Sequence, residues 1–193
     1  FPKETVEESY YQNINHKATI YKEIGRYQDA IVTAKTAAQE APVSLQKTAK
    51  LVMAETYLLM GKFQASLEEF KNLPLDESFR MKEQSFYLRN LGIVYTELND
   101  FAKADSTFAL LERIVLPNGK YPSPMPKEYL KYLWDKAESE YKKWKQDPEN
   151  FQALMASNAH YEEAARTIDQ IQSGYSSAKD KQFLLKETRG RFE

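Results

Sequence analysis

The side chains that most often carry catalysis or bind metals are sparse in this sequence. The chain has no cysteine and only two histidines, His16 and His160, which lie far apart and have no potential metal ligands at helical spacing except acidic residues. A zinc site needs three or four converging ligands, so we interpret His160, which precedes Glu162 and Glu163, as a turn histidine. The sequence therefore predicts no metal site and no cofactor.

Carboxylates are plentiful, but their spacing is typical of solvated helix faces. They cluster at Glu68-Glu69, Glu138-Ser139-Glu140 and Glu162-Glu163. The chain has neither a glycine-rich phosphate loop nor the nucleophile elbow of serine hydrolases. Since no residue stands out for catalysis, we predict that the protein is not an enzyme.

The stretch 131–145, KYLWDKAESEYKKWK, combines aromatic and basic side chains. A basic amphipathic helix of this kind can lie on a lipid surface or against a partner. The acidic residues within it dilute the positive charge, and Trp134 and Tyr141, seven residues apart, suit a stripe that faces a core. We favour core packing over a membrane or partner role for this stretch.

The overall composition is that of a soluble helical protein. Hydrophobic residues make up 42% and charged residues 28% of the chain, with 6 glycines and 8 prolines. The net charge of -1 gives no basic surface for nucleic acid, and no apolar run is long enough to span a membrane. The chain begins with Phe1 rather than Met, which we interpret as a processed or excised piece.

A pattern of turn residue, aromatic residue and small residue occurs three times. The copies are Gly25-Tyr27-Ala30, Gly61-Phe63-Ser66 and Asn99-Phe101-Ala104. Their small residues are 36 and 38 positions apart, and a tyrosine lies four residues before each turn residue. A fourth, weaker copy begins at Tyr161. Gly tolerates the left-handed conformation that ends a helix, and Asn is the next best choice.

This period and pattern resemble the tetratricopeptide repeat, which consists of two antiparallel helices. The matching residues are Ala18, Tyr21, Gly25, Tyr27, Ala30, Ala37 and Pro42; Ala54, Tyr57, Gly61, Phe63, Ser66 and Phe70; and Leu91, Gly92, Tyr95, Phe101, Ala104 and Phe108. The resemblance covers 10–117 well and 148–173 poorly. It implies an all-α fold, a right-handed superhelix of antiparallel helix pairs, with about three regular repeats and a divergent C-terminal helical part.

The predicted elements follow from this pattern and from the prolines. We predict helices at 8–24, 27–40, 44–60, 63–72, 78–98, 101–115, 127–146, 149–158, Tyr161–Ser173 and Ser176–Arg191. Thr5-Val6-Glu7-Glu8 has the form of a capping box, and Pro126 suits the first position of a helix. We predict repeats over 1–117, a Pro-rich loop over 118–126, and an extra helix, divergent repeat and C-terminal helix over 127–193, packed as one continuous domain.

In the family that the repeats resemble, the first helices line a concave groove. The corresponding positions here are Asn15, Thr19, Lys22, Glu23, Leu51, Glu55, Leu58, Leu59, Phe86, Arg89, Ile93, Thr96 and Glu97. The positions that clamp a chaperone's C-terminal carboxylate in some members hold Asn15, Thr19, Val52, Phe86 and Asn90, and none matches. We expect the groove either to bind an extended apolar segment or a helix, or to be filled by helix 127–146.

Two hypotheses of function follow from the sequence. The first is a non-catalytic scaffold that binds a protein or a peptide. The second rests on the charged C-terminal stretch, whose layout resembles the extracytoplasmic sensor or regulatory part of a bacterial histidine kinase or transcriptional regulator. That analogy favours the periplasmic side of a bacterial membrane over the cytoplasm. The partner, the signal and the oligomeric state stay open.

Overall fold

The computed structural model describes residues 6–73, 75, 79–119 and 122–174. Within these residues the chain forms eight α-helices, one short 3-10 helix at Pro117–Gly119 and no strand, which confirms the all-α class. The helices are α1 (Val6–Glu23), α2 (Tyr27–Glu40), α3 (Val43–Leu59), α4 (Phe63–Lys71), α5 (Met81–Glu97), α6 (Phe101–Val115), α7 (Pro126–Gln146) and α8 (Phe151–Gly174). None of these described helices is both long and apolar enough to cross a membrane.

Contacts between backbone positions divide the chain into two compact units. The first, Phe1–Asp100, contains α1 to α5, and the second, Phe101–Glu193, contains α6 to α8. The predicted third helix pair, α5 and α6, is therefore divided between them. The proposed organisation into repeats, Pro-rich loop and C-terminal part stays a prediction.

The three predicted turn residues end their helices in the same way. Gly25, Gly61 and Asn99 have φ angles of 78°, 69° and 61°, which confirms the left-handed conformation expected of them. After each turn, a backbone N–H donates to the carbonyl of the tyrosine five residues earlier. These bonds are Arg26 to Tyr21 at 2.8 Å, Lys62 to Tyr57 at 2.9 Å and Asp100 to Tyr95 at 2.9 Å. The recurring sequence motif therefore forms the same helix C-terminal capping turn at all three places.

In the first unit, small side chains lie where helices approach most closely. α1 packs on α2 and α3, and α3 packs in turn on α4 and α5. Ala18 of α1 and Ala34 of α2 are fully buried in a cluster with Val52 and Met53 of α3. A methyl group fills the space between the helices, and a larger side chain would force them apart.

An aromatic pair joins α4 to α5. The rings of Phe70 and Tyr87 meet edge to face, with centroids 5.1 Å apart. The Tyr87 hydroxyl donates to the Phe70 carbonyl at 3.0 Å, which satisfies a polar group inside the core. Phe70 therefore anchors the next helix along the chain.

In the second unit, α7 packs along α8 and also on α6. Trp134 is only 1% exposed, so its predicted place in the core is confirmed. The same prediction is wrong for Tyr141, which is 37% exposed and lies against Trp144. The buried part of α7 ends at Glu140, and Tyr141 lies beyond it on the same side of the helix.

The boundaries differ from the prediction most clearly in the C-terminal part. α8 is one continuous helix, whereas two helices, 149–158 and Tyr161–Ser173, were expected. No Gly or Pro interrupts the intervening residues, and the Asn158 side chain donates to Glu162 one turn ahead at 2.9 Å. Pro126 begins α7, as predicted. Thr5 of the predicted capping box and the predicted helix Ser176–Arg191 lie outside the described residues.

An ion-pair network links α6 to α7. Asp105 of α6 contacts Lys136 at 2.5 Å and Lys143 at 2.8 Å. Glu140 contacts the same two lysines at 2.6 and 3.0 Å. Burial acts to raise the pKa of Asp105, but hydrogen bonds and charge from the two lysines outweigh it and hold that pKa below its ordinary value of 3.8.

The network predicts a specific acid sensitivity. We expect Asp105→Asn to lower the free energy of unfolding by about 1 kcal/mol at neutral pH, because the carboxylate is partly exposed and its pairs are screened. Since the folded pKa is lowered, the stabilisation is present above the unfolded pKa and disappears as the pH falls through the folded value. Urea unfolding curves of the wild type and the variant should therefore converge below about pH 4.

The control for this experiment is Asp169→Asn, at an exposed position of α8. Its effect on the free energy of unfolding should be small. A deficit of Asp105→Asn that stayed constant from neutral pH to about pH 2 would contradict the assignment of the lowered pKa.

Candidate functional site

The predicted groove positions lie on α1, α3 and α5, and the structure brings these helices together in the first unit. α3 packs between α1 on one side and α5 on the other. An ion pair between Lys22 and Glu55 joins α1 to α3. A second, between Lys47 and Glu83 at 3.2 Å, joins α3 to α5. Two of the predicted residues, Lys22 and Glu55, are therefore partners of each other.

Three predicted groove residues are buried. Asn15 donates its side-chain amide to the Leu45 carbonyl at 3.1 Å. The Thr96 hydroxyl donates to the Gly92 carbonyl at 3.0 Å within its own helix, and Leu51 lies in the core. Because these three side chains are buried, a ligand on the surface would not reach them.

The remaining predicted residues are accessible to different degrees. Glu23 and Leu59 are exposed, and Leu59 retains 52% of its surface. Thr19 is half-buried and donates its hydroxyl to the Asn15 carbonyl at 2.9 Å. The other half-buried positions are Leu58, Phe86, Arg89, Ile93 and Glu97. The accessible part of this face thus combines apolar and charged side chains.

A pocket that the sequence did not suggest lies in the second unit, between α6, α7 and α8. It has a volume of about 350 Å³. Its lining residues are Glu112, Tyr129, Tyr132, Leu133, Ala159, His160, Glu163 and Arg166. They come from three consecutive helices and lie between positions 112 and 166, so the packing of these helices brings them together.

Tyr132 forms the floor of this pocket. Its ring stacks on Tyr129 with centroids 6.0 Å apart and planes 20° apart, and it meets the edge of Phe108 at 6.3 Å. Burial raises the pKa of Tyr132 strongly, and the charge and hydrogen bond of Glu112 raise it further. The phenol therefore stays protonated and donates to the Glu112 carboxylate.

His160 lies in the middle of α8, so the prediction of a turn histidine is wrong. Its Nδ1 is 2.6 Å from the Ala156 carbonyl one turn earlier. Because a carbonyl oxygen can only accept, Nδ1 must carry the proton in this contact. In the neutral imidazole, Nε2 is then left as a hydrogen-bond acceptor. The ring of His160 meets Tyr132 edge to face at 6.5 Å.

The two neighbouring carboxylates of α8 have different environments. Glu162 is exposed, as expected of a solvated face. Glu163 is half-buried, lines the pocket and accepts from Arg166 Nη2 at 2.8 Å and Nε at 2.9 Å. Both contacts use the same oxygen of Glu163, Oε2. Among the described residues, no group of three or more side chains of the usual metal-binding types could hold a metal ion.

The residues that line this pocket could not be recognised from the sequence. Glu112, Tyr132 and His160 belong to no motif, and Glu163 was part of an ordinary acidic pair. Their spacing along α6, α7 and α8 is uninformative until the helices are packed. Comparison with protein-family models, with curated proteins and with solved structures finds no match for this chain.

Proposed function

We propose that this protein is a non-catalytic scaffold that binds a peptide or a segment of another protein on the face formed by α1, α3 and α5. The observation that carries the proposal is the packing of α3 between α1 and α5, with the helix-ending turns after all three helices built alike. The proposal includes the solenoid of helix pairs that the tetratricopeptide resemblance implies. In such arrays the first helices form the surface on which extended segments or helices bind.

The chemistry of this face favours an amphipathic ligand. Leu59 is exposed, and Leu58, Phe86 and Ile93 are half-buried, so apolar side chains can be received along α3 and α5. A pocket of about 460 Å³ also opens where these two helices begin, with Phe79, Lys47 and Glu83 among its lining. Apolar anchors in the ligand would provide affinity, and its charged groups would fix orientation.

The test is a selection of peptides on the intact protein. A displayed library of random peptides is panned against the wild type, and the enriched sequences are measured against two variants. Leu59→Glu places a charge on the proposed face and should weaken binding by roughly tenfold or more, because a carboxylate must be desolvated where an apolar contact was made. Val32→Glu, on α2 and 60% exposed, is the matched control.

The two variants distinguish binding on the proposed face from binding on α2. Loss of binding in Leu59→Glu alone, with unchanged helical circular dichroism in both variants, supports the proposal. Equal loss in both variants, or no peptide enriched by the wild type, would overturn it. The alternative of a bacterial sensor or regulatory part stays a prediction, since its argument rests on residues 176–193, outside the described part of the chain.

A further inference from the structure

The pocket of the second unit has a rigid aromatic floor with polar groups above it. Tyr132 is held by Tyr129, Phe108 and the edge of His160. Its hydroxyl is already committed to Glu112. Tyr132 and Tyr129 are 3% and 5% exposed, so they close the bottom of the pocket, and Tyr132 contributes no free donor.

Glu112, His160 and Glu163 provide hydrogen-bond acceptors around this floor. Both contacts of Arg166 go to Oε2 of Glu163, and within the described part of the chain no donor reaches its Oε1. His160 uses Nδ1 for the Ala156 carbonyl, and among the same residues Nε2 has no donor. Glu112 adds a second carboxylate at the rim. A molecule entering here meets unfilled acceptors on two sides.

The charge of the lining residues also favours a cationic ligand. Glu112 and Glu163 are negative, and the one cation of the lining, Arg166, is turned onto Glu163. An anion would face two carboxylates without a free cation to bind it. The described side chains do not converge closely enough for a metal ion, so a larger, donor-bearing cation fits the spacing better.

We propose that the pocket lined by Glu112, Tyr132, His160 and Glu163 binds an organic cation, either a guanidinium or a primary ammonium group. The cation would donate to Glu163 Oε1 and His160 Nε2. Its source is either a free amine or a basic side chain of a partner. This site is separate from the proposed peptide-binding face and does not depend on it.

The two histidines make the site directly observable. In a proton NMR spectrum, His160 reports on the pocket, and His16, exposed on α1, serves as an internal reference. The probes are agmatine, for a free amine, and the capped peptide acetyl-Gly-Arg-Gly-amide, for a basic side chain. Each is added to about 10 mM, where even a millimolar site is filled. We expect a saturable shift of the His160 signal and none of the His16 signal.

Glu163→Gln and Glu112→Gln test the two assigned carboxylates, and Glu162→Gln is the control. Glu163→Gln removes the charge that faces the cation and should weaken binding about tenfold, the usual effect of losing a charge-assisted hydrogen bond. Glu162→Gln makes the same change one residue earlier, on an exposed position outside the lining, and should change binding less than about twofold. Glu112→Gln keeps an acceptor for Tyr132 and should also weaken binding.

Tighter binding of agmatine than of the peptide would indicate a free amine as the source of the cation, and binding of the peptide at least as tight would indicate a basic side chain of a partner. Either result supports the site if Glu163→Gln weakens it and Glu162→Gln does not. The proposal is overturned if neither probe gives a saturable shift of the His160 signal, or if Glu163→Gln and Glu162→Gln weaken binding equally. The Glu163–Arg166 pair is on the surface of α8, so unchanged circular dichroism is expected for both variants.

Discussion

Trp134→Ala is expected to lower the free energy of unfolding by about 3–5 kcal/mol, the largest loss we predict for a single substitution in this chain. Trp134 is the largest of the fully buried side chains and lies in the middle of α7, which packs on both α6 and α8. Removing the indole leaves a cavity that the surrounding helices cannot close without moving. The lost stability therefore has two parts, the free energy gained by burying the apolar indole and the cost of the cavity that it leaves.

The measurement can be confined to the second unit. Both tryptophans of the chain, Trp134 and Trp144, belong to it, so tryptophan fluorescence during urea unfolding reports on this unit in each variant. Trp144→Ala removes the same side chain from the same helix at a half-buried position. It should cost about 1 kcal/mol or less. Equal losses in the two variants would show that Trp134 is not the centre of the core.

Glu140→Gln is expected to lower the free energy of unfolding by about 2–3 kcal/mol. Glu140 is buried and contacts both Lys136 and Lys143. After the substitution, the two partly buried lysines would share the single carboxylate of Asp105. Because an uncompensated buried charge costs more than the pair contributes, the loss should exceed that of an exposed ion pair.

The matched control is Glu138→Gln, two residues earlier on α7 and half-buried, which should change stability by less than about 0.5 kcal/mol. The loss in Glu140→Gln should also depend on alkaline pH. Burial acts to lower the pKa of Lys143, but hydrogen bonds to Asp105 and Glu140 raise it above its ordinary 10.5. The pair therefore stabilises the fold below that pH, and its contribution disappears as the pH rises through the folded value. If Glu140→Gln lowered the free energy of unfolding by the same amount in strong alkali as at neutral pH, this explanation would be contradicted.

The helix boundaries of the first unit could be predicted because their causes are local. Gly25 and Gly61 adopt the left-handed conformation that their lack of a Cβ permits, and the hydrogen bonds that end each helix span only six residues. Small residues that match the repeat also lie in the interior. Ala18, Ala30 and Ala104 have no exposed surface.

Two predictions from sequence periodicity were wrong, the helix break before Tyr161 and the core position of Tyr141. The weak fourth copy at Tyr161 suggested a new helix, but its neighbours are good helix formers without Gly or Pro, and α8 continues through them. Tyr141 has the helical phase of a core residue but lies beyond the buried part of α7. Periodicity indicates which side of a helix faces inward, but not how far along the helix a neighbour extends.

The sequence by itself determined the all-α class, most of the helices and the three equivalent turns, since these depend on backbone conformation and hydrogen bonds within one or two helical turns. Tertiary structure decided which polar side chains became structural and which formed a site. Asn15 is buried between helices, whereas Glu112, Tyr132 and His160 meet at one pocket from three different helices. No pattern along the chain indicates such a meeting, because it depends on how the helices pack and on which side chains that packing leaves at the surface.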